Sequence, residues 1–144
     1  MKMFTGLIPP MVTPLSAPDR LDVRSTERMV RHLVFGGVDG IFLLGTTGEG
    51  PHLPYSVREA LVKKVCAILR GRLPVLVGVT ETDMDAALRF AGKCRGFGAS
   101  AVVAAPPHYF VIDMGADVEM AGFRYTPRQD SRSGRVRAWR FEAL

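Results

Sequence analysis

Three apolar runs set the frame: Gly40-Ile41-Phe42-Leu43-Leu44, Val75-Leu76-Val77-Gly78-Val79 and Ala99-Ser100-Ala101-Val102-Val103-Ala104-Ala105. One helical pattern separates each run from the next. The middle run is too apolar and too unalternating for a half-exposed strand, so it reads as buried on both faces, as parallel strands are. Starts near residues 40, 75 and 101 give the βαβ rhythm of a parallel sheet with right-handed crossovers. The rhythm does not choose between a barrel and an open doubly wound sheet.

The intervening segments fit that frame. Leu7-Ile8 and Met11-Val12 flank Pro9-Pro10, which predicts a short, interrupted first strand, because proline removes a ladder donor. Ser16 to Asp22 reads as a polar turn, with Asp22 placed to cap a helix whose apolar face is Val23, Thr26, Val30, Leu33 and Val34. Gly36-Gly37 ends it. Ser56 with Glu59 three residues on predicts a capping box for a second helix with a stripe of Val57, Ala60, Leu61, Lys64, Val65 and Ile68. Thr82 or Asp83 caps a third, whose apolar side is Met84, Ala87, Leu88, Ala91 and Cys94, closed by Gly96 and Gly98.

The loop Gly45-Thr46-Thr47-Gly48-Glu49-Gly50 leaves the carboxyl end of the first apolar run, where β/α proteins place their chemistry. Its glycines are expected to take positive φ and bring successive N–H groups toward an anion, a carboxylate or a phosphate. No Gly-Lys-Ser/Thr closes the loop and its glycine spacing is not the dinucleotide fingerprint. The hexapeptide alone leaves an anion cradle and an ordinary Gly/Thr connection equally open.

The 144 residues, 47% hydrophobic and 23% charged, suit one globular domain. The net charge of +5 is concentrated at the end. Residues 1–123 hold 13 basic and 12 acidic side chains, whereas residues 124–144 hold Arg124, Arg128, Arg132, Arg135, Arg137 and Arg140 against Asp130 and Glu142. With no nucleic-acid module in sight, the basic tail reads as a solvated segment, and neither nucleic acid nor a membrane surface is expected as a partner. Cys66 and Cys94 lack Cys-x-x-Cys spacing and read as small core residues of a reducing compartment. His52 and His108 follow strand ends without a third ligand at suitable spacing, so no metal is expected. No secretory leader or membrane span is visible, and a cytoplasmic location is the default expectation.

Several segments in order carry a resemblance: Thr5-Gly6-Leu7-Ile8-Pro9-Pro10-Met11-Val12-Thr13-Pro14-Leu15, Gly36-Gly37-Val38-Asp39-Gly40-Ile41, Gly45-Thr46-Thr47-Gly48-Glu49 and Pro74-Val75-Leu76-Val77-Gly78-Val79. Together the chain from about Phe4 to Phe110 resembles the dihydrodipicolinate synthase/N-acetylneuraminate lyase family. The resemblance implies a lyase of the Schiff-base aldolase class on a (β/α)8 TIM barrel, oligomeric, without a cofactor, acting on pyruvate or another 2-oxo acid. It implies that Thr47 and the neighbouring Gly48 amide bind the substrate carboxylate and that Thr46 passes protons in a relay. Tyr109 matches the tyrosine that reaches across a subunit interface to complete the partner's relay. Without the resemblance, Thr46 and Thr47 read as loop hydroxyls that satisfy local amides, Tyr109 as an interface or core aromatic, and Glu49 as a loop brace.

A complete barrel needs about 250 residues. The expected fold is therefore the N-terminal half of a barrel, about four parallel strands with three helices, in residues 1–110. Residues 111–144 are expected to be a non-matching tail, disordered or out of frame, since no stripe there is long enough for the next helix and strand. Lys63, Lys64 and Lys93 fall on helices and Lys2 at the terminus, so none stands at a strand end where an imine lysine belongs. The expectation is a family member truncated before its lysine and inactive alone. The alternative is a non-catalytic half-barrel that docks on a complete homologue; an open-sheet nucleotide binder is a third, weaker reading.

Overall fold

The computed structural model describes residues 4–81, 83–104 and 110–113, the last four as backbone. The chain opens with a small antiparallel hairpin, β1 (Leu15–Ala17) and β2 (Arg20–Leu21), paired Leu15 to Leu21. It continues through α1 (Val23–Phe35), β3 (Ile41–Leu43), a 3-10 turn (Gly50–His52), α2 (Tyr55–Leu69), β4 (Val75–Gly78), α3 (Met84–Phe97), β5 (Ala101–Ala104) and β6 (Phe110–Asp113). The main sheet has the order β3-β4-β5-β6.

β3, β4 and β5 are parallel and in step. Leu43, Val77 and Val102 lie level across the three strands and are fully buried. They join Val57, Leu61, Val62 and Val65 of α2 and Phe90, Ala91 and Cys94 of α3 in one core. Burying such side chains is worth about 1.5–3 kcal/mol each, so the helices are held on the sheet chiefly by this row. Phe42 and Leu76 point the other way and stay half-buried.

The proline-interrupted first strand is reduced to a bridge. Pro10 pairs in parallel with Phe42, with the Met11 N–H on the Phe42 carbonyl at 2.8 Å and the Phe42 N–H on the Pro9 carbonyl at 3.1 Å. The two prolines, having no N–H, prevent a longer ladder. The expected set of four parallel strands is therefore three strands and a bridged segment. The fourth strand of the sheet, β6, is antiparallel on β5 with Ala101 opposite Asp113 and Ala104 opposite Phe110. It begins at the end of the family-like region, and no strand is expected there from the sequence.

The helix caps divide the same way. Asp22 caps α1 as expected, accepting from the Ser25 N–H at 3.0 Å and the Ser25 hydroxyl at 2.7 Å. Asp83 caps α3, and Gly98, at φ 96°, closes it. The Ser56–Glu59 capping box does not form. Pro54 is the N-cap of α2, its φ already fixed at −58°, and its carbonyl receives the Val57 and Arg58 amides. Glu59 instead accepts from Lys93 Nζ at 2.7 Å, tying α2 to α3. Val23 and Val34, expected on the buried face of α1, are 45% and 38% exposed, because this helix packs on α2 and leaves its other flank uncovered. Cys66 and Cys94 are free and buried, and burial pushes their thiols up to about 11 and about 12, which makes both inert near neutral pH. Among the described residues no helix is long and apolar enough to cross a membrane.

Candidate functional site

The site begins with a backbone reversal at the end of β3. Leu44 takes φ 58° and Glu49 φ 55°, both left-handed, while Gly45, Gly48 and Gly50 do not. The expectation that the glycines supply the positive φ is thus wrong, and the reason is spatial. A Cβ on Gly50 would lie 2.1 Å from the Leu44 carbonyl oxygen, one on Gly45 2.6 Å from Phe42 Cε1, and one on Gly48 2.9 Å from the Leu44 nitrogen. The glycines allow the loop to fold back onto itself. Leu44 bears the strained geometry because its side chain is buried in the core and locks it there.

Three contacts hold the loop. The Gly50 N–H reaches the Gly45 carbonyl at 3.3 Å and the Glu49 N–H reaches the Thr46 carbonyl at 3.1 Å, closing a turn around Thr46-Thr47-Gly48. Thr13 Oγ1, from the segment after the Pro10 bridge, donates to the Gly48 carbonyl at 2.7 Å. What remains unused is the chemistry. The N–H groups of Thr46, Thr47 and Gly48 and both threonine hydroxyls have no hydrogen-bond partner among the described residues, and both threonines are exposed. A row of unpaired donors at a strand's carboxyl end is a place for an anion, and a carboxylate fits two hydroxyls and successive amides.

Thr46, Thr47 and Gly48, the residues singled out in the sequence, are consecutive in this turn, with both threonines exposed and Gly48 buried. Tyr109 and His108 lie outside the described residues. Glu49 is exposed and makes no side-chain hydrogen bond among the described residues, so its expected bracing role finds no contact here. No group of three metal-ligating side chains occurs among the described residues.

A second cluster beside the loop has no counterpart in the sequence reading. Arg58, on α2 and only 6% exposed, donates through Nε to the Leu53 carbonyl at 2.7 Å and through Nη2 to the Pro51 carbonyl at 3.1 Å. Its Nη1 is paired with Glu81 Oε1, from the segment that leaves β4. Glu81 Oε1 also accepts from the Tyr55 hydroxyl at 2.8 Å. The Arg58 guanidinium stands 4.6 Å over the Tyr55 ring, which meets Phe90 edge-on at 5.4 Å. Burial pushes the Glu81 carboxyl up, but the bonds from Arg58 and Tyr55 outweigh it and hold Glu81 below the usual glutamate range. Burial and the Glu81 charge raise the Tyr55 phenol, so it stays a donor. The available signal was a charged residue beside Val57, one turn before Leu61 and Val62, on the apolar side of the helix.

Comparison with known proteins gives one consistent result. Residues 3–115 match the dihydrodipicolinate synthetase family. The chain is 36% identical over 112 residues to a probable 2-dehydro-3-deoxy-D-pentonate aldolase of Escherichia coli, covering 78% of this chain and 37% of that protein. It is 36% identical over 107 residues to 4-hydroxy-tetrahydrodipicolinate synthase of Thermotoga neapolitana, covering 74% and 36%. Among solved structures it superposes on dihydrodipicolinate synthase from Bacteroides thetaiotaomicron with TM-score 0.70 and 47% identity, over 74% of this chain and 36% of the other. It also superposes on YagE, a prophage protein of Escherichia coli crystallised with pyruvate, with TM-score 0.68 and 32% identity, over 72% and 35%. The chain thus spans little more than a third of the length of these relatives.

Proposed function

Because the chain belongs to the dihydrodipicolinate synthetase family, we propose that the Thr46–Gly48 loop is the carboxylate-binding part of a site for pyruvate or a related 2-oxo acid. The observation that carries this reading is the row of unengaged donors at Thr46, Thr47 and Gly48. The Thr47 hydroxyl and the Thr47 and Gly48 amides take the carboxylate. The Thr46 hydroxyl, exposed beside them, is the relay position, and Tyr109 is assigned to the same relay across an oligomer interface.

A Schiff-base lyase also needs a neutral lysine amine to attack the ketone carbon, with loss of water. The described lysines do not fit that role. Lys64 is paired with Glu27 at 2.6 Å, Lys93 with Glu59 at 2.7 Å, and Lys63 is exposed on α2. All are on helices. The described residues therefore offer a carboxylate cradle and no lysine placed to form an imine. The reading as a docking partner of a complete homologue has one observation against it: the β5 edge, where more barrel strands would join, is already taken by β6.

An amide-resolved NMR titration with pyruvate tests the binding claim. Pyruvate is expected to move the Thr46, Thr47 and Gly48 resonances. Thr47→Val, which removes one hydrogen bond to a charged group worth about 1.5–3 kcal/mol, is expected to weaken binding about 10- to 100-fold. Borohydride treatment with pyruvate is expected to add no mass to the intact chain. A trapped adduct, or unchanged affinity in Thr47→Val, refutes the proposal.

A further inference from the structure

We propose that Arg58 is a positioning residue for the Thr46–Gly48 cradle, with Glu81 as its fixed counter-ion; this rests on the carboxylate-binding reading and deepens it. The loop has two stems. One is β3, anchored in the sheet by its ladder to β4. The other is the Gly50–His52 turn and Leu53, which has no strand to join. It is held by its own i to i+3 bonds, His52 N–H to Glu49 at 2.9 Å and Leu53 N–H to Gly50 at 3.2 Å, and by Arg58 on the Pro51 and Leu53 carbonyls.

The connection onward is short. Gly50 packs directly on the Leu44 carbonyl and its N–H closes the Gly45 turn, so a shift of Pro51 is passed to the peptide groups on either side of Thr46. A planar guanidinium suits this task because its donors lie in one plane and reach two carbonyls and a carboxylate together. A lysine ammonium in the same place cannot span them. Glu81 sits on the segment that follows β4, so the network also ties the loop after β3 to the loop after β4. The loop after β3 is thereby fixed to the loop after β4 before any ligand arrives, which preorganises the donors at Thr46–Gly48.

The cluster also has the cost expected of a structure kept for more than stability. Arg58 is buried while the Glu81 side chain keeps 19% of its surface exposed, and an ion pair taken largely out of water is often no more stabilising than apolar residues of similar size. An apolar pair would fill the space between α2 and the β4 loop. It would not hold the Pro51 and Leu53 carbonyls, and that difference is what the experiment reads.

The test uses the full chain, pyruvate, amide-resolved NMR and thermal unfolding, with Arg58→Lys, Glu81→Gln and the double variant Arg58→Leu/Glu81→Leu. Arg58→Lys is expected to displace the Thr46–Gly48 resonances without ligand and to weaken pyruvate binding about tenfold, a loss typical of misplaced binding groups. Glu81→Gln keeps an acceptor for Arg58 and is expected to bind within about threefold of wild type. The double variant leaves no unpaired buried charge, so it is expected to fold while still binding about tenfold more weakly. Wild-type affinity in the folded double variant or in Arg58→Lys overturns the proposal. If the wild-type chain shows no response to pyruvate, the carboxylate reading fails separately, and the ligand-free spectra decide about Arg58: displaced loop resonances support its positioning role and unmoved ones refute it.

Discussion

Replacing Gly78 by alanine probes how closely the loop and the sheet are fitted. Gly78 is the last residue of β4, and a Cβ there would stand 2.3 Å from the Leu44 carbonyl oxygen, 2.7 Å from its carbon and 3.1 Å from the Gly45 nitrogen. A tolerable carbon–oxygen contact is about 3.3 Å, so β4 and the β3 exit would have to separate by roughly 1 Å. Neither side gives easily. Gly78 is held in the ladder opposite Val103, and Leu44 is buried at a left-handed φ. Overpacking of this kind costs about 3 kcal/mol, at the upper end of its usual range because backbone rather than a side-chain tip must move. Alanine recovers some of that, about 0.5–1 kcal/mol, by restricting the unfolded chain. The steric cost wins, leaving a net loss of about 2 kcal/mol and a melting temperature lowered by about 8 °C for a domain of this size. Thermal unfolding followed by circular dichroism measures this, and the Thr46–Gly48 amide resonances report whether the strain is relieved through the loop. If Gly78→Ala melts at or above the wild-type temperature with those resonances in place, the close approach is no constraint and the reasoning fails.

Gly92 provides the opposite case. It lies inside α3, exposed and with nothing within 4 Å of an added Cβ, so Gly92→Ala is expected to stabilise by about 1 kcal/mol; a lower unfolding midpoint in urea would contradict this. The Asp22 cap gives a pH dependence. The Ser25 hydroxyl and then its N–H hold the Asp22 carboxyl below its ordinary value of 3.8, so its contribution is complete above that value and is lost as pH falls through the lower folded-state pKa. Urea midpoints between pH 6 and pH 2 are expected to fall less steeply for Asp22→Asn, which keeps a capping oxygen without the titration; parallel profiles would show that Asp22 is not a source of acid sensitivity.

The elements with a local cause were legible. Asp22 announced its helix, Asp83 proved the cap of the two offered with Thr82, Gly98 ended that helix while Gly96 lies inside it, and the runs at Ile41, Val75 and Ala101 became strands. The Thr46-Thr47-Gly48 cluster could be placed because it directly follows an apolar run. What was not legible depended on contacts distant in sequence. Nothing in the hexapeptide shows that Gly50 and Gly78 both meet one carbonyl, so the glycines were credited with a positive φ that Leu44 and Glu49 adopt. Ser56 and Glu59 have the spacing of a capping box, but a proline already in a suitable conformation precedes them and Lys93 claims the glutamate. The β1–β2 hairpin was read only as a turn, because strands of three and two residues are too short to show alternation. Arg58 has no place in the stripe read for the second helix, where Lys64 is the one charge; its partner Glu81 is 23 positions away.

The antiparallel seat of Phe110–Asp113 decides what else the sheet can accept at its edge. The hydrogen-bonding groups along the far side of Ala101–Ala104 are occupied by the chain's own next segment. Those on the near side of the sheet are met by a stretch whose centre, Pro10, offers no N–H to a newcomer. Another strand could pair with Ala101–Ala104 along the far side only by first evicting the resident one.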